Sequence, residues 1–209
     1  MTQVFSFAVQ STDDRVSIAT KPAAVAGQNI RPPAVAGSFY PGDPQQISAM
    51  LDSMLEGDAP QDKWAACMVP HAGWVYSGQS AADVLKRIEF PKTSLAIGPK
   101  HTSHGLEWAV APHQTWSLPG GTVESDLDLA RRLAETIPGL ELDAAAHQQE
   151  HGVEVELPII ARLAPNSRVV GIALGGGNLE RCEQFAEGLI QVMRELDEPP
   201  LLLISSDMN

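Results

Sequence analysis

The stretch WAACMVPHAGWVYSGQSAADVLKRIEFPKTSLAIGPKH, residues 64–101, decides the fold. Residues 64–69 and 94–97 are short apolar runs punctuated by Pro and Gly, which is how buried strands read. Between them, residues 78–88 carry a helical pattern. Parallel strands need such a crossover helix, so the stretch reads as one βαβ unit.

The same alternation extends in both directions. Upstream, Asp43 can cap a helix that has Pro44 at its first position and Ile47, Met50, Leu51, Met54 and Leu55 on one face, with Gly57 ending it. Downstream, residues 108–111 and 115–124 read as a β excursion turning at Pro119-Gly-Gly121. Ser125 is then placed to cap a helix striped by Leu129, Ala130, Leu133, Ala134 and Ile137. Residues 153–163 are helical, with Pro158 accommodated by a bend or a late start, and residues 168–174 form a strand. Residues 179–196 form a helix with Leu179, Cys182, Ala186, Leu189 and Met193 on its buried face, and residues 201–205 a last strand. This order predicts an α/β three-layer sandwich with a largely parallel sheet covered on both faces.

The 209 residues suit one domain, and 44% hydrophobic content with a mean hydropathy of −0.08 suits a globular core. A net charge of −12 without a Lys/Arg run excludes the electrostatic footprint of a nucleic-acid or anionic-lipid binder. No apolar stretch reaches a membrane span, and the start lacks a signal-peptide pattern. Cys67 and Cys182, far apart in the chain, make neither a disulfide framework nor a zinc knuckle. A cytoplasmic location is therefore expected. Residues 1–30, rich in Ser, Thr, Ala, Gln and Pro, are expected to be a mobile extension, and residues 31–209 the domain.

Polar groups follow three of the apolar runs at equivalent places: His71, His101 and Asp207. In an α/β sheet, ligands gather at the carboxyl ends of strands. His71 and His101 stand thirty residues apart, about one βαβ unit, each beside a Pro and a Gly that fix its turn. That pattern points to imidazoles converging on one ion, while a backbone hydrogen bond for each ring is the simpler alternative. Trp74 and Tyr76 could wall such a pocket or belong to the core. His147-Gln-Gln-Glu-His151 matches an inverted zinc-peptidase pattern, which requires a helix through both histidines that Gly152 interrupts. Alternatively, His151 and Glu154 form a proton-transfer pair at the next helix start.

Five motifs, Pro33-Ala-Val-Ala-Gly-Ser-Phe-Tyr-Pro41, Pro70-His-Ala-Gly-Trp-Val-Tyr-Ser-Gly78, Gly98-Pro-Lys-His-Thr102, Glu150-His-Gly-Val-Glu-Val-Glu-Leu-Pro158 and Ser205-Ser-Asp-Met-Asn209, together resemble the Memo family. In prokaryotes this is component B of the AmmeMemoRadiSam system. The resemblance implies a fold similar to the LigB-type class III extradiol dioxygenases, with their two-His, one-carboxylate iron site. It implies His71, His101 and Asp207 as metal ligands and His151 as the acid/base histidine with Glu154 beside it. Copper or iron is the implied metal, zinc the further option. Trp74 stands where the family has Tyr. The family motif S-S-D-x-x-H would place a His at position 210, beyond the last residue here. Cys67 and Cys182 do not match the family's distal Cys. The expectation is a C-terminally incomplete member whose metal pocket lacks donors.

Three functions compete: a metal-dependent oxidoreductase of unknown substrate, a non-catalytic scaffold with a vestigial pocket, and a zinc hydrolase on His147, Glu150 and His151. The expected partner is a small molecule or a protein, including the other AmmeMemoRadiSam components or a second copy in a homodimer.

Overall fold

Two continuous apolar strands organise the molecule: β3 (Thr93–Pro99) and β8 (Arg168–Leu174) pair in parallel along their whole length. In this computed structural model, which describes residues 29–207, successive side chains of these strands enter opposite layers. Leu95 and Ile97 of β3, with Val170 and Ile172 of β8, face the helices α3 (Leu127–Thr136) and α6 (Leu179–Arg194). Ala96 and Val169 face the other layer, made of α1 (Pro44–Met54), α2 (Trp74–Leu85) and α5 (Leu157–Leu163). Side chains such as Leu133, Leu157 and Ile172 are fully buried, and burying each contributes about 1.5–3 kcal/mol.

The main sheet has six strands. They are β2 (Ala66–Val69), β9 (Leu201–Ser205), β3, β8, β4 (Trp108–Val110) and β7 (Glu141–Leu142), in that spatial order. All neighbours are parallel except β4 against β8. The expected three-layer α/β sandwich with a mostly parallel sheet is therefore observed. Strand β9 lies between β2 and β3, so the strands that carry His71 and His101 flank the one that leads to Asp207. A second sheet joins β1 (Ile30–Arg31), β5 (Thr115–Leu118) and β6 (Gly121–Glu124). Its Trp116 lies on Gly171 of β8, where an added Cβ would come within 2.7 Å of the indole.

Local signals account for most boundaries. Asp43 accepts hydrogen bonds from the Gln45 and Gln46 amides with Pro44 following, as expected for α1. Pro158 is accommodated by a late start, a 3-10 turn over Glu154–Glu156 preceding α5. Three readings are corrected. Helix α2 begins at Trp74 rather than near residue 78, because the Gly73 carbonyl already accepts from the Tyr76 and Ser77 amides. Asp126, not Ser125, caps α3 by accepting from Leu129. On α6 the buried face is Phe185, Gly188, Leu189 and Val192, whereas Leu179 and Cys182 are exposed. Gly188 is where this helix comes against Ile137, and a stripe with a glycine at its centre does not read as hydrophobic. The N-terminal extension expected over residues 1–30 falls, up to residue 28, outside the described residues.

Candidate metal centre

Val69 of β2 is paired with Ser205 of β9, so His71 and Asp207, each two residues further on, leave the sheet side by side. His101 follows β3 at the same edge. His151 joins them from the loop between α4 (Ala144–His147) and the 3-10 turn. One ring nitrogen or other ligand atom from each of His71, His101 and His151 lies within 4.8 Å of the others, close enough that the three could hold a metal ion. The ring centroids of His71 and His101 are 5.1 Å apart and edge-on, while His101 and His151 stack at 4.2 Å. Asp207 sits at the rim, 46% exposed, with one oxygen on the His71 amide at 2.8 Å and the other 4.0 Å from His71 Nε2.

Hydrogen bonds fix two of the three rings. Glu150 is buried, and its carboxylate accepts from the His101 amide at 2.6 Å and faces His101 Nδ1 at 2.7 Å. Burial alone would raise the Glu150 pKa, but the hydrogen bonds from His101 and the Gly152 amide hold it below the ordinary value. An ionised carboxylate only accepts, so Nδ1 of His101 carries the proton and a neutral ring presents a bare Nε2. At His71, Nδ1 lies 2.8 Å from the Ser205 hydroxyl, which donates its own hydrogen to the Gly152 carbonyl. Ser205 must then accept from His71 Nδ1–H, again leaving Nε2 bare. This carboxylate or hydroxyl behind the ring is the usual backing of a metal-bound imidazole.

His151 differs. Its Nδ1 lies 3.6 Å from Glu150, beyond hydrogen-bond range, and no hydrogen bond among the described residues fixes its ring. Phe39 packs on it with centroids 4.5 Å apart. Burial, then the neighbouring His101, lowers its pKa, and burial likewise lowers that of His71, so both rings favour the neutral form.

Several expected site residues serve elsewhere. Glu154 does not orient His151. It is fully buried and paired with Arg31, and it accepts from the Ala34 and Val35 amides and the Tyr40 hydroxyl, pinning the segment that bears Phe39. Trp74 is a core residue whose indole N–H donates to the Val155 carbonyl at 2.9 Å. Tyr76 is 87% exposed and walls nothing enclosed. His147 lies outside the cluster: its Nε2 donates to the Ala109 carbonyl at 3.2 Å, and burial lowers its pKa to about 4. Helix α4 stops at His147, so the zinc-peptidase arrangement of His147 and His151 on one helical face is not formed. Phe39, Ser205 and Glu150 lie inside the motifs that carry the family resemblance, but neither those motifs nor any local pattern assigned them, or Arg31, these contacts.

A Memo-like protein profile matches residues 31–209, the described domain almost entirely. The chain belongs to the Memo family. It is 38% identical over 183 residues to a MEMO1 family protein of Aquifex aeolicus, covering 86% of this chain and 67% of the relative. Against the Thermococcus onnurineus MEMO1 family protein the identity is 38% over 188 residues, covering 85% and 64%. Against that of Archaeoglobus fulgidus it is 36% over 180 residues, covering 86% and 67%. This Memo-family chain thus spans about two thirds of the length of the curated relatives it matches. No helix among its described residues is long and apolar enough to cross a membrane.

Proposed function

We propose that this Memo-family chain is a metal-dependent oxidoreductase in which His71, His101 and Asp207 hold a transition-metal ion and His151 moves a proton. One observation carries the reading: two imidazoles have their Nδ1 protons committed to backing groups, and a third, unlocked imidazole stands against them. Two nitrogens and a carboxylate oxygen suit iron, copper or zinc. A bound ion of the first two would supply Lewis-acid polarisation and one-electron exchange. The protein's own residues set the rest. Asp207 brings a negative charge to the open rim, Glu150 holds His101 in one tautomer, and Phe39 shields one face of His151 from water. A neutral His151 without a fixed partner can accept a proton from a ligand and return it.

Anaerobic calorimetric titration of iron(II), copper and zinc separates the roles. Asp207→Asn should weaken binding roughly tenfold or more, and His151→Gln should bind nearly as wild type does. Loss of binding in His151→Gln comparable to that in His71→Ala would make His151 a ligand instead. A protein that takes up zinc alone, and shows no reversible redox wave with copper or iron, would overturn the oxidoreductase reading.

A further inference from the structure

One enclosed polar contact of the site is made by a hydroxyl. Ser205, 1% exposed at the end of β9, places its hydroxyl between His71 Nδ1 and the Gly152 carbonyl. Three elements meet at this point. Gly98 of β3 borders it: a Cβ there would be in ordinary contact with Gly152 C at 3.5 Å and Ser205 Cβ at 3.6 Å. The hydroxyl thus links the His71 loop to the loop that carries Glu150 and His151.

We propose that Ser205 is a positioning residue that holds His71 as the Nδ1–H tautomer and so keeps its Nε2 lone pair turned to the metal. The claim rests on the metal-site reading above. Its logic is a competition for one proton. Asp207 lies 4.0 Å from His71 Nε2, and a carboxylate there draws the ring proton to Nε2, where it would block coordination. Ser205 opposes this because its single hydrogen is spent on Gly152, so its oxygen can only accept from Nδ1. Without the hydroxyl, the Gly152 carbonyl loses a buried partner and His71 keeps only its contact with the Ser205 main chain, so the Nε2–H form facing Asp207 gains population.

The test uses the whole chain without metal. Long-range 15N–1H correlation spectra report which ring nitrogen of His71 is protonated. Wild type should show the Nδ1–H form, Ser205→Ala a shift toward Nε2–H, and Ser205→Thr, which keeps the hydroxyl, the wild-type pattern. Titration of zinc should show binding weakened about 10- to 100-fold in Ser205→Ala and restored in Ser205→Thr. Thermal melting of both variants checks that the fold persists, and the tautomer can be read in Ser205→Ala alone if the threonine variant does not fold. An unchanged tautomer in folded Ser205→Ala, or a changed tautomer with unchanged zinc affinity, would overturn the proposal. If wild type binds no metal while the tautomer shifts as stated, the metal-site reading fails and the hydrogen-bond assignment survives.

Discussion

His147 and His151 are four residues apart, yet they belong to different chemical regions. His147 lies in a closed layer with Arg31, Trp116 and His113, its Nε2–H spent on a backbone carbonyl. His151 lies in the open cluster with His71 and His101, and its ring has no such partner among the described residues. Arg31 joins the two regions: its guanidinium donates to the His147 and Glu150 carbonyls and pairs with Glu154. What separates the two imidazoles is not their shared motif but their surroundings: His147 is spent inside a closed layer, whereas His151 stands within reach of the two backed rings of His71 and His101.

The largest break of this contrast is expected at Arg31. Arg31→Met removes three hydrogen bonds and leaves the fully buried Glu154 without its counter-charge, and removal of one partner of such a pair costs about 3–5 kcal/mol. Urea unfolding should show that loss; a cost below about 1 kcal/mol would show that the layer does not depend on the cation.

Acid should separate the regions next. Burial lowers His113 and His147 to about 4, below the ordinary value of 6.5. The unfolded chain therefore binds more protons than the folded one between those values, and stability falls as pH drops from about 6.5 toward 4, by on the order of a few kcal/mol. Glu156 acts with the opposite sign. Burial, then the charge of Asp207, raises its carboxyl well above the usual range, and its Oε2 has no hydrogen-bond partner among the described residues. Its contribution is complete below about 4.5 and lost as pH rises. Glu156→Gln should therefore stabilise the protein more at pH 8 than at pH 5, leaving the histidine acid limb exposed. A gain that does not grow with pH would show Glu156 ionised in the fold.

The smallest of these effects is expected at Glu150. Glu150→Gln should weaken metal binding about 10- to 100-fold, because the His101 proton loses its charged acceptor. Unchanged affinity would show that the backing of His101 is immaterial.

These residues also mark what could be read from sequence. Strands β3, β8 and β9 are continuous apolar runs, and Asp43-Pro44 is a local cap, so the layers followed from neighbours in the chain. His71 and His101 were legible because each follows a strand at the same edge. Arg31 acts on Glu150, Phe39 on His151 and Ser205 on His71 and Gly152, partners 53 or more positions away in the chain, and no local periodicity encodes that. The peptidase alternative on His147, Glu150 and His151 needed one helical face that Gly152 already spoke against, and α4 ends at His147, sending the two histidines to different layers. Glu154 was read as a partner of His151 because three residues on a helix share a face, whereas Arg31 holds it on the other side.

The central claim is that His71 and His101, and not the motif pair of His147 and His151, anchor the metal. Metal content per chain after equilibration with zinc, copper or iron(II) and removal of free ion tests it most directly. The account predicts about one ion per chain in wild type and in folded His147→Gln, and little or none in the His71→Ala/His101→Ala double variant. Full occupancy in that double variant, with loss in His147→Gln, would contradict it.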